Sequence, residues 1–473
     1  MDEIYGQVSV TIQFSKKWRF FLFGAISAAA LTSVNGVAIS ETLDGALVKA
    51  YQSNPTLNAQ RAGVRATDEN IARAKAGYRP NVNASADIGR SYIDYKAPGT
   101  TSSEAFLTGR GVGLQIDQTI FDGFRTPNSV KQAESQILGS RESLRNEEQV
   151  TLFSAAQAYM NVLRDTAILN LNRNNVEVLQ EQLRQTNDRF NVGEVTRTDV
   201  AQAEASLAGA RSQVSAAEAN LSSSLAVYRQ VVGEEPRKLA PGRPLDKLIP
   251  RTSDLALKLA LKEHPAIIAA LHTVDAAELQ VKLVEGEFLP SIGLSGAVAQ
   301  RESYNLAGDN RLTASVVAQL KVPIYQGGET SARTRQSKET AGQRRLEADS
   351  IRDQVRAAVI SAWGQLEAAK AQISATQAQV SANETALNGV REEARVGQRT
   401  TLDVLNAQQA LLNSRVLLII AQRDRTVASY AVVQAMGRLD SRFLGLKVAH
   451  YNPKTHFDQI KDSWGGTTTP DGK

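Results

Sequence analysis

The 473-residue sequence predicts a mixed but mostly α fold, in which long coiled-coil helices carry two β-hairpins and the chain is exported. Three observations predict it. The chain repeats itself once, each copy switches from a helical period to a period of two and back, and the N-terminus has the pattern of a signal peptide.

At that N-terminus, Lys16, Lys17 and Arg19 precede an apolar run from Phe20 to Leu31, and small residues follow around Gly36, Val37 and Ala38. A basic region, an apolar region and a small-residue site in this order assign residues 1–38 to a signal peptide. The run is too short for a membrane-spanning helix, and no other stretch approaches the roughly 20 apolar residues that one requires. No cysteine is present, so lipid attachment, disulfides, thiolate zinc sites and a cysteine nucleophile are excluded. An exported chain of this kind enters a membrane only as a β-barrel. The balance of 54 basic against 49 acidic residues gives a net charge of +5 without clusters, which does not fit a nucleic-acid partner.

The duplication is read from matched positions. Asn54-Pro55 recurs as His264-Pro265, and Tyr78-Arg79-Pro80 as Phe288-Leu289-Pro290. Further on, Ile120-Phe121-Asp122-Gly123 matches Ile324-Tyr325-Gln326-Gly327, and the same register aligns Val192-Gly193 with Val396-Gly397, Asp199-Val200 with Asp403-Val404, and Gly233 with Gly437. Repeat 1 therefore covers 39–233, a linker 234–253, repeat 2 254–438, and a C-terminal segment 439–473 that is expected to be partly disordered from Gly465.

Within each repeat the alternation of apolar and polar residues predicts two strands, about 81–91 and 107–121 in the first and about 291–300 and 311–325 in the second. The register changes between the two copies of this interval, and a longer loop in the first hairpin is the simplest reading. Such strands fit a half-buried soluble sheet or a transmembrane barrel, and the export signal favours the barrel. Four strands per chain are too few to close one, so two or three chains must join their edges.

The remainder is helical. Val355, Val359, Ala362, Leu366, Ala369, Ile373, Thr376, Val380, Asn383, Leu387, Val390 and Ala394 step by four and three, and Val162, Leu169, Val176, Leu183 and Phe190 follow the same period in repeat 1. That period of 3.5 predicts left-handed coiled-coil packing along one narrow stripe. A helix from Pro127 to Phe190 would be roughly 96 Å long, and the shorter stretches Thr56–Tyr78 and Arg197–Val232, stacked end to end, would nearly match it.

These features together resemble the outer-membrane efflux proteins typified by TolC. The similarity rests on the order, in both copies, of Asn-Pro or His-Pro, Pro before the first strand, Phe-Asp-Gly or Tyr-Gln-Gly after the second, and Val-Gly followed by Thr and Asp-Val at the distal turn. The resemblance implies a trimer with a 12-stranded barrel in the outer membrane and a helical tunnel in the periplasm. It implies three kinds of partner besides outer-membrane lipid: the two other copies, a periplasmic adaptor protein, and an inner-membrane pump or ABC exporter. It further implies a gating latch at Thr198, Asp199 and Arg399, an aperture ring at Asp403 and Asn406, and adaptor docking at Val192, Gly193, Val396 and Gly397. The sequence departs from the family pattern twice. Ala394 stands where a tyrosine of the latch is expected, and Asn406 where a second aspartate of the ring is expected. Read locally, Thr198-Asp199 also fits a helix N-cap and Arg399 a surface pair with Asp403.

No enzyme is expected, because the four histidines lack metal spacing and neither a phosphate loop nor a nucleophile elbow occurs, and no cofactor is implied. A periplasmic adaptor or a structural coiled-coil protein of the envelope would share the export signal but would not need two alternating hairpins.

Overall fold

The computed structural model describes residues 40–95, 98–99, 103–302, 308–470 and 472, so the expected signal peptide and most of both hairpin tips lie outside the described residues. Helices α1 (Leu43–Ser53) and α2 (Pro55–Lys75) lead into strands β1 (Asn81–Tyr95) and β2 (Ser103–Phe121), followed by α3 (Arg125–Asn191) and α4 (Arg197–Val232). The second half repeats the order with α5 (Ser253–Glu263), α6 (Pro265–Glu285), β3 (Ser291–Glu302), β4 (Asn310–Lys321), α7 (Glu329–Arg395) and α8 (Thr401–Ala435), and α9 (Lys454–Ile460) comes last.

Each half opens on a broken helix because proline cannot donate the helical hydrogen bond and forces the residue before it out of helical geometry. Asn54 (ψ 122°) and His264 (ψ 123°) occupy that break. The side chain of Asn54 accepts from Leu57 N at 3.1 Å and donates to Val231 O at 2.9 Å, and His264 Nδ1 accepts from Ala266 N at 3.2 Å. Each polar side chain thus replaces one of the partners that the start of a helix lacks.

The two longest helices, α3 and α7, have 67 residues each, which corresponds to roughly 100 Å. They pair with α4 and α8 as coiled coils. All twelve positions of the expected α7 stripe are buried or half-buried, whereas Phe190 at the end of the α3 stripe is exposed. Helix α8 departs from the expectation that no stretch beyond the signal is strongly apolar: among the described residues it is the one helix long and apolar enough to cross a bilayer by length and composition. Its apolar residues serve packing instead, because α8 touches α3 as well as α7. A central core gathers α1, α5, the inner parts of α3 and α7, the far ends of α4 and α8, and residues from Leu439 on, around the fully buried Tyr159, Tyr228 and Tyr430.

The four strands form one antiparallel sheet in the order β1-β2-β3-β4, so β1 and β4 are open edges. Even-numbered residues share one face. Val82 lies opposite Ile116, Ala84 opposite Leu114, Leu114 opposite Val298 and Ile292 opposite Leu320. The other face is polar: Asp117 accepts from Ser295 Oγ at 2.8 Å and from Gln115, and Asp87 pairs with Arg301 at 3.4 Å. One apolar face and one polar face are what a sheet between lipid and water requires.

The expected longer loop in the first hairpin is not found. Residues 96–102 and 303–309 separate the strands by the same number of positions, and the difference lies in the longer β1 and β2. From Gly465 the described residues are exposed and form neither helix nor strand.

Candidate functional site

At the end of the coiled coils farthest in sequence from the strands, two turns share one local chemistry. Val192 and Val396 cap the C-terminal ends of helices α3 and α7, and Gly193 (φ +80°) and Gly397 (φ +77°) then take the left-handed conformation that side chains disfavour. Gly193 N donates to Phe190 O and Glu194 N to Arg189 O; Gly397 N and Gln398 N repeat this with Ala394 O and Glu393 O. Val192 and Val396 are each 71% exposed, so both turns present an apolar side chain to solvent.

The next helices start on capping boxes. Thr196 accepts from Asp199 N, and Thr196 N and Oγ1 both donate to Asp199 Oδ2, at 2.9 and 2.7 Å. Thr400 and Asp403 do the same at 3.0 and 2.9 Å. These bonds favour the ionised form, so the carboxyls of Asp199 and Asp403 lie below the usual carboxylate range, Asp199 chiefly through the Thr196 hydroxyl and Asp403 chiefly through the Thr400 amide. The caps themselves are Thr196 and Thr400, with each aspartate in the third helical position. Thr198 is exposed beside Asp199.

Arg399 pairs with Glu393 at 2.8 Å, not with Asp403 four residues ahead; the hydrogen bond to Glu393 raises the guanidinium pKa, and Asp403 adds its charge. At the first turn Arg189 pairs with Glu194 at 3.0 Å. Arg189 and Glu393 occupy matching positions of the two repeats, so the charge that precedes the turn is inverted between them. Asn406 is exposed on α8, one turn beyond Asp403.

Within the single chain Asp199 is committed to Thr196 and Arg399 to Glu393. The two coiled coils are tied elsewhere: Gln408 Nε2 donates to Asn175 Oδ1 at 3.3 Å, Leu405 packs with Leu179, Leu207 and Ala210, and farther along α8 Arg423 Nε donates to Asn161 Oδ1 at 2.9 Å. The caps were findable in the sequence, since Thr-x-x-Asp before an apolar run marks a capping box. The Gln408 bridge carried no sequence signal. Among the described residues, no group of three or more histidine or acidic side chains is placed to hold a metal ion.

Comparison with known proteins agrees with this architecture. The sequence model of the outer membrane efflux protein family matches residues 46–234 and 256–438, the two repeats. The outer membrane efflux protein BepC of Brucella suis biovar 1 is 46% identical over 95% of this chain and 97% of its own length. The alkaline protease secretion protein AprF of Pseudomonas aeruginosa is 28% identical over 85% of each chain. Among solved structures, the CmeC outer membrane channel of Campylobacter jejuni superposes with a TM-score of 0.76 over 89% of both chains at 18% identity, which speaks to the fold. By its family match and its identity to BepC, the chain belongs to the outer membrane efflux protein family.

Proposed function

We propose that three copies of this chain join β4 to β1 into a 12-stranded barrel and form the outer-membrane exit duct of a tripartite efflux pump or type I secretion system. The sheet is the observation that carries this reading, because it has one apolar face, one polar face and two unpaired edges, and runs into helices of about 100 Å. An edge strand left open in hydrocarbon would strand its backbone polar groups, and closure by further copies removes that cost. An inner-membrane pump or ABC exporter would load the duct. A periplasmic adaptor would dock on the exposed Val192-Gly193 and Val396-Gly397 turns. The names of the relatives, one an efflux protein and one a protease secretion protein, support a duct whose cargo is set by its pump.

In the ring of three, the tips converge. We assign the latch to Thr198, Asp199 and Arg399 between neighbouring coiled coils, and the narrowest aperture to Asp403 with Asn406. Closing would exchange the Arg399–Glu393 pair seen in the single chain for contacts across the tip, and opening would restore it. Three Asp403 carboxylates at one aperture would attract cations.

Purified protein in planar bilayers tests both levels. Cation-selective channels and a threefold mass in detergent are expected, and a folded, inserted monomer would refute the ring. Arg399→Ala should raise conductance while Asp403→Asn lowers cation selectivity. Unchanged values for both would remove these residues from the gate and leave them as helix-end chemistry.

A further inference from the structure

The segment from Leu439 on lies outside both stretches matched by the family. It crosses the central core first: Leu439 N donates to Gln149 Oε1 at 3.3 Å, Ser441 N to Glu148 Oε1 at 2.7 Å, and Tyr451 N to Tyr51 Oη at 2.9 Å. Helix α9 then lies on α2. There His456 meets the fully buried Asp68 at 3.3 Å, Arg141 reaches the same carboxylate at 3.4 Å, and Phe457 packs beside Ile71 and Ile137.

From Ile460 the chain follows α2 toward the sheet. Asp462 pairs with Lys75 at 2.7 Å, Ser463 O accepts from Arg79, and the Trp464 ring lies on the Arg79 guanidinium at 4.8 Å. Arg79 stands two residues before β1, at the end where all four strands join the helices. A segment that starts in the middle of the helical body therefore ends at the rim of the sheet.

What it delivers there is an indole that is 75% exposed. Four successive tethers fix the segment, from His456 through Asp462 and Ser463 to Trp464, yet none buries the ring. The same rim exposes Tyr78, Phe288, Leu289, Ile324 and Tyr325. Tryptophan and tyrosine, apolar bodies with a polar edge, gather where hydrocarbon meets water, and a cation at that depth meets lipid phosphate.

We propose that residues 439–464 form a membrane-anchoring strap that seats Trp464 and Arg79 among the headgroups of the periplasmic leaflet, with a glycerophospholipid as partner. The indole N–H faces the ester and phosphate oxygens, the guanidinium faces the phosphate, and the ring lies at the top of the acyl chains. The strap then couples the bilayer to the helical body through the buried Asp68–His456 contact. This inference rests on the outer-membrane placement of the sheet, and its test separates the two.

Of the three tryptophans Trp18 falls in the expected signal peptide, so Trp363→Phe leaves Trp464 as the sole tryptophan of the exported chain. The full assembly is placed in phosphatidylethanolamine–phosphatidylglycerol nanodiscs, with lipids brominated near the carbonyl or unbrominated. Bromolipid should roughly halve the emission, and aqueous iodide should have little effect, as expected of an interfacial indole. Quenching by iodide but not by bromolipid overturns the proposal. In parallel, Trp464→Ala should lower the thermal midpoint in nanodiscs but not in detergent, and Trp464→Tyr should restore it; equal midpoints in nanodiscs also overturn it. Conductance is recorded on the same samples. Channels with an unquenched Trp464 refute the strap alone, whereas a sample that makes no channels refutes the duct and the strap with it.

Discussion

The two halves turn from strand to helix on matching glycines, yet the surroundings of those glycines differ. In the first half Gly123 (φ +70°) lies so close to Gly286 that a Cβ would fall 2.2 Å from the Gly286 carbonyl oxygen. Its counterpart Gly327 (φ +62°) has nothing within 4 Å of the same position. The dihedral requirement is therefore set by the connection, which the repeats share, and the contact requirement by whatever lies alongside. The flank of the first half is covered by the second half of the same chain. The flank of the second half is bare, as β4 is, and in the proposed ring the next copy's first half covers it.

Glycine substitution breaks or sharpens that comparison most strongly. Gly123→Ala should cost about 3 kcal/mol, combining left-handed strain with a backbone clash, while Gly327→Ala in an unassembled chain should cost about 1 kcal/mol. In the ring, the second value should climb toward the first if the halves alternate around one closed circle. Thermal unfolding of both variants, before and after assembly, measures this.

The matched helix breaks supply a pH test. Burial holds the His264 pKa at about 4 against 6.5, whereas Asn54 does not titrate. Below pH 6.5 the unfolded chain takes up a proton that the folded chain refuses, so stability is full above 6.5, declines with acidification and levels off below about 4. Allowing for partial exposure, the decline should be about 2 kcal/mol, and His264→Asn, which copies the first half, should remove it. Denaturant midpoints from pH 7.5 to 4 decide.

A smaller effect is expected at the distal turns. Asp199→Ala and Asp403→Ala should each lower the denaturation midpoint slightly and to a similar extent, because each removes the same capping box. The proposed aperture distinguishes them: only Asp403→Ala should change ion selectivity. Gln408→Ala should cost about 0.5 kcal/mol and loosen the two coiled coils against each other, seen as faster amide exchange near Asn175.

Much of this was legible in the sequence, because it depends on local periodicity. The 3.5-residue stripe of α7, the alternating strands and the Val-Gly turns each follow from residues close together in the chain. What was not legible depends on distant residues. Nothing near His456 announces that it meets Asp68, nothing in Gln408 names Asn175, and nothing in the period announces that Phe190, just ahead of the turn, is exposed. The hairpins were misread for a related reason. A difference in length between two copies of an interval says nothing of whether strands or loops absorb it, and here the strands do. At the tip, resemblance singled out Asp199 and Arg399, while the Thr196 and Thr400 caps and the Glu393 partner emerged from geometry.

The bare edges of β1 and β4 carry a consequence for genetics. In hydrocarbon each unpaired backbone group costs several kcal/mol, so an incomplete ring is refused by the bilayer. A substitution that spoils the β1–β4 seam should appear as missing protein and not as a leaky pore. Because one faulty chain spoils a ring of three, a cell that makes equal amounts of normal and faulty chains should keep only about one ring in eight fully normal. Seam variants should therefore be dominant, and alterations confined to the aperture should be tolerated copy by copy.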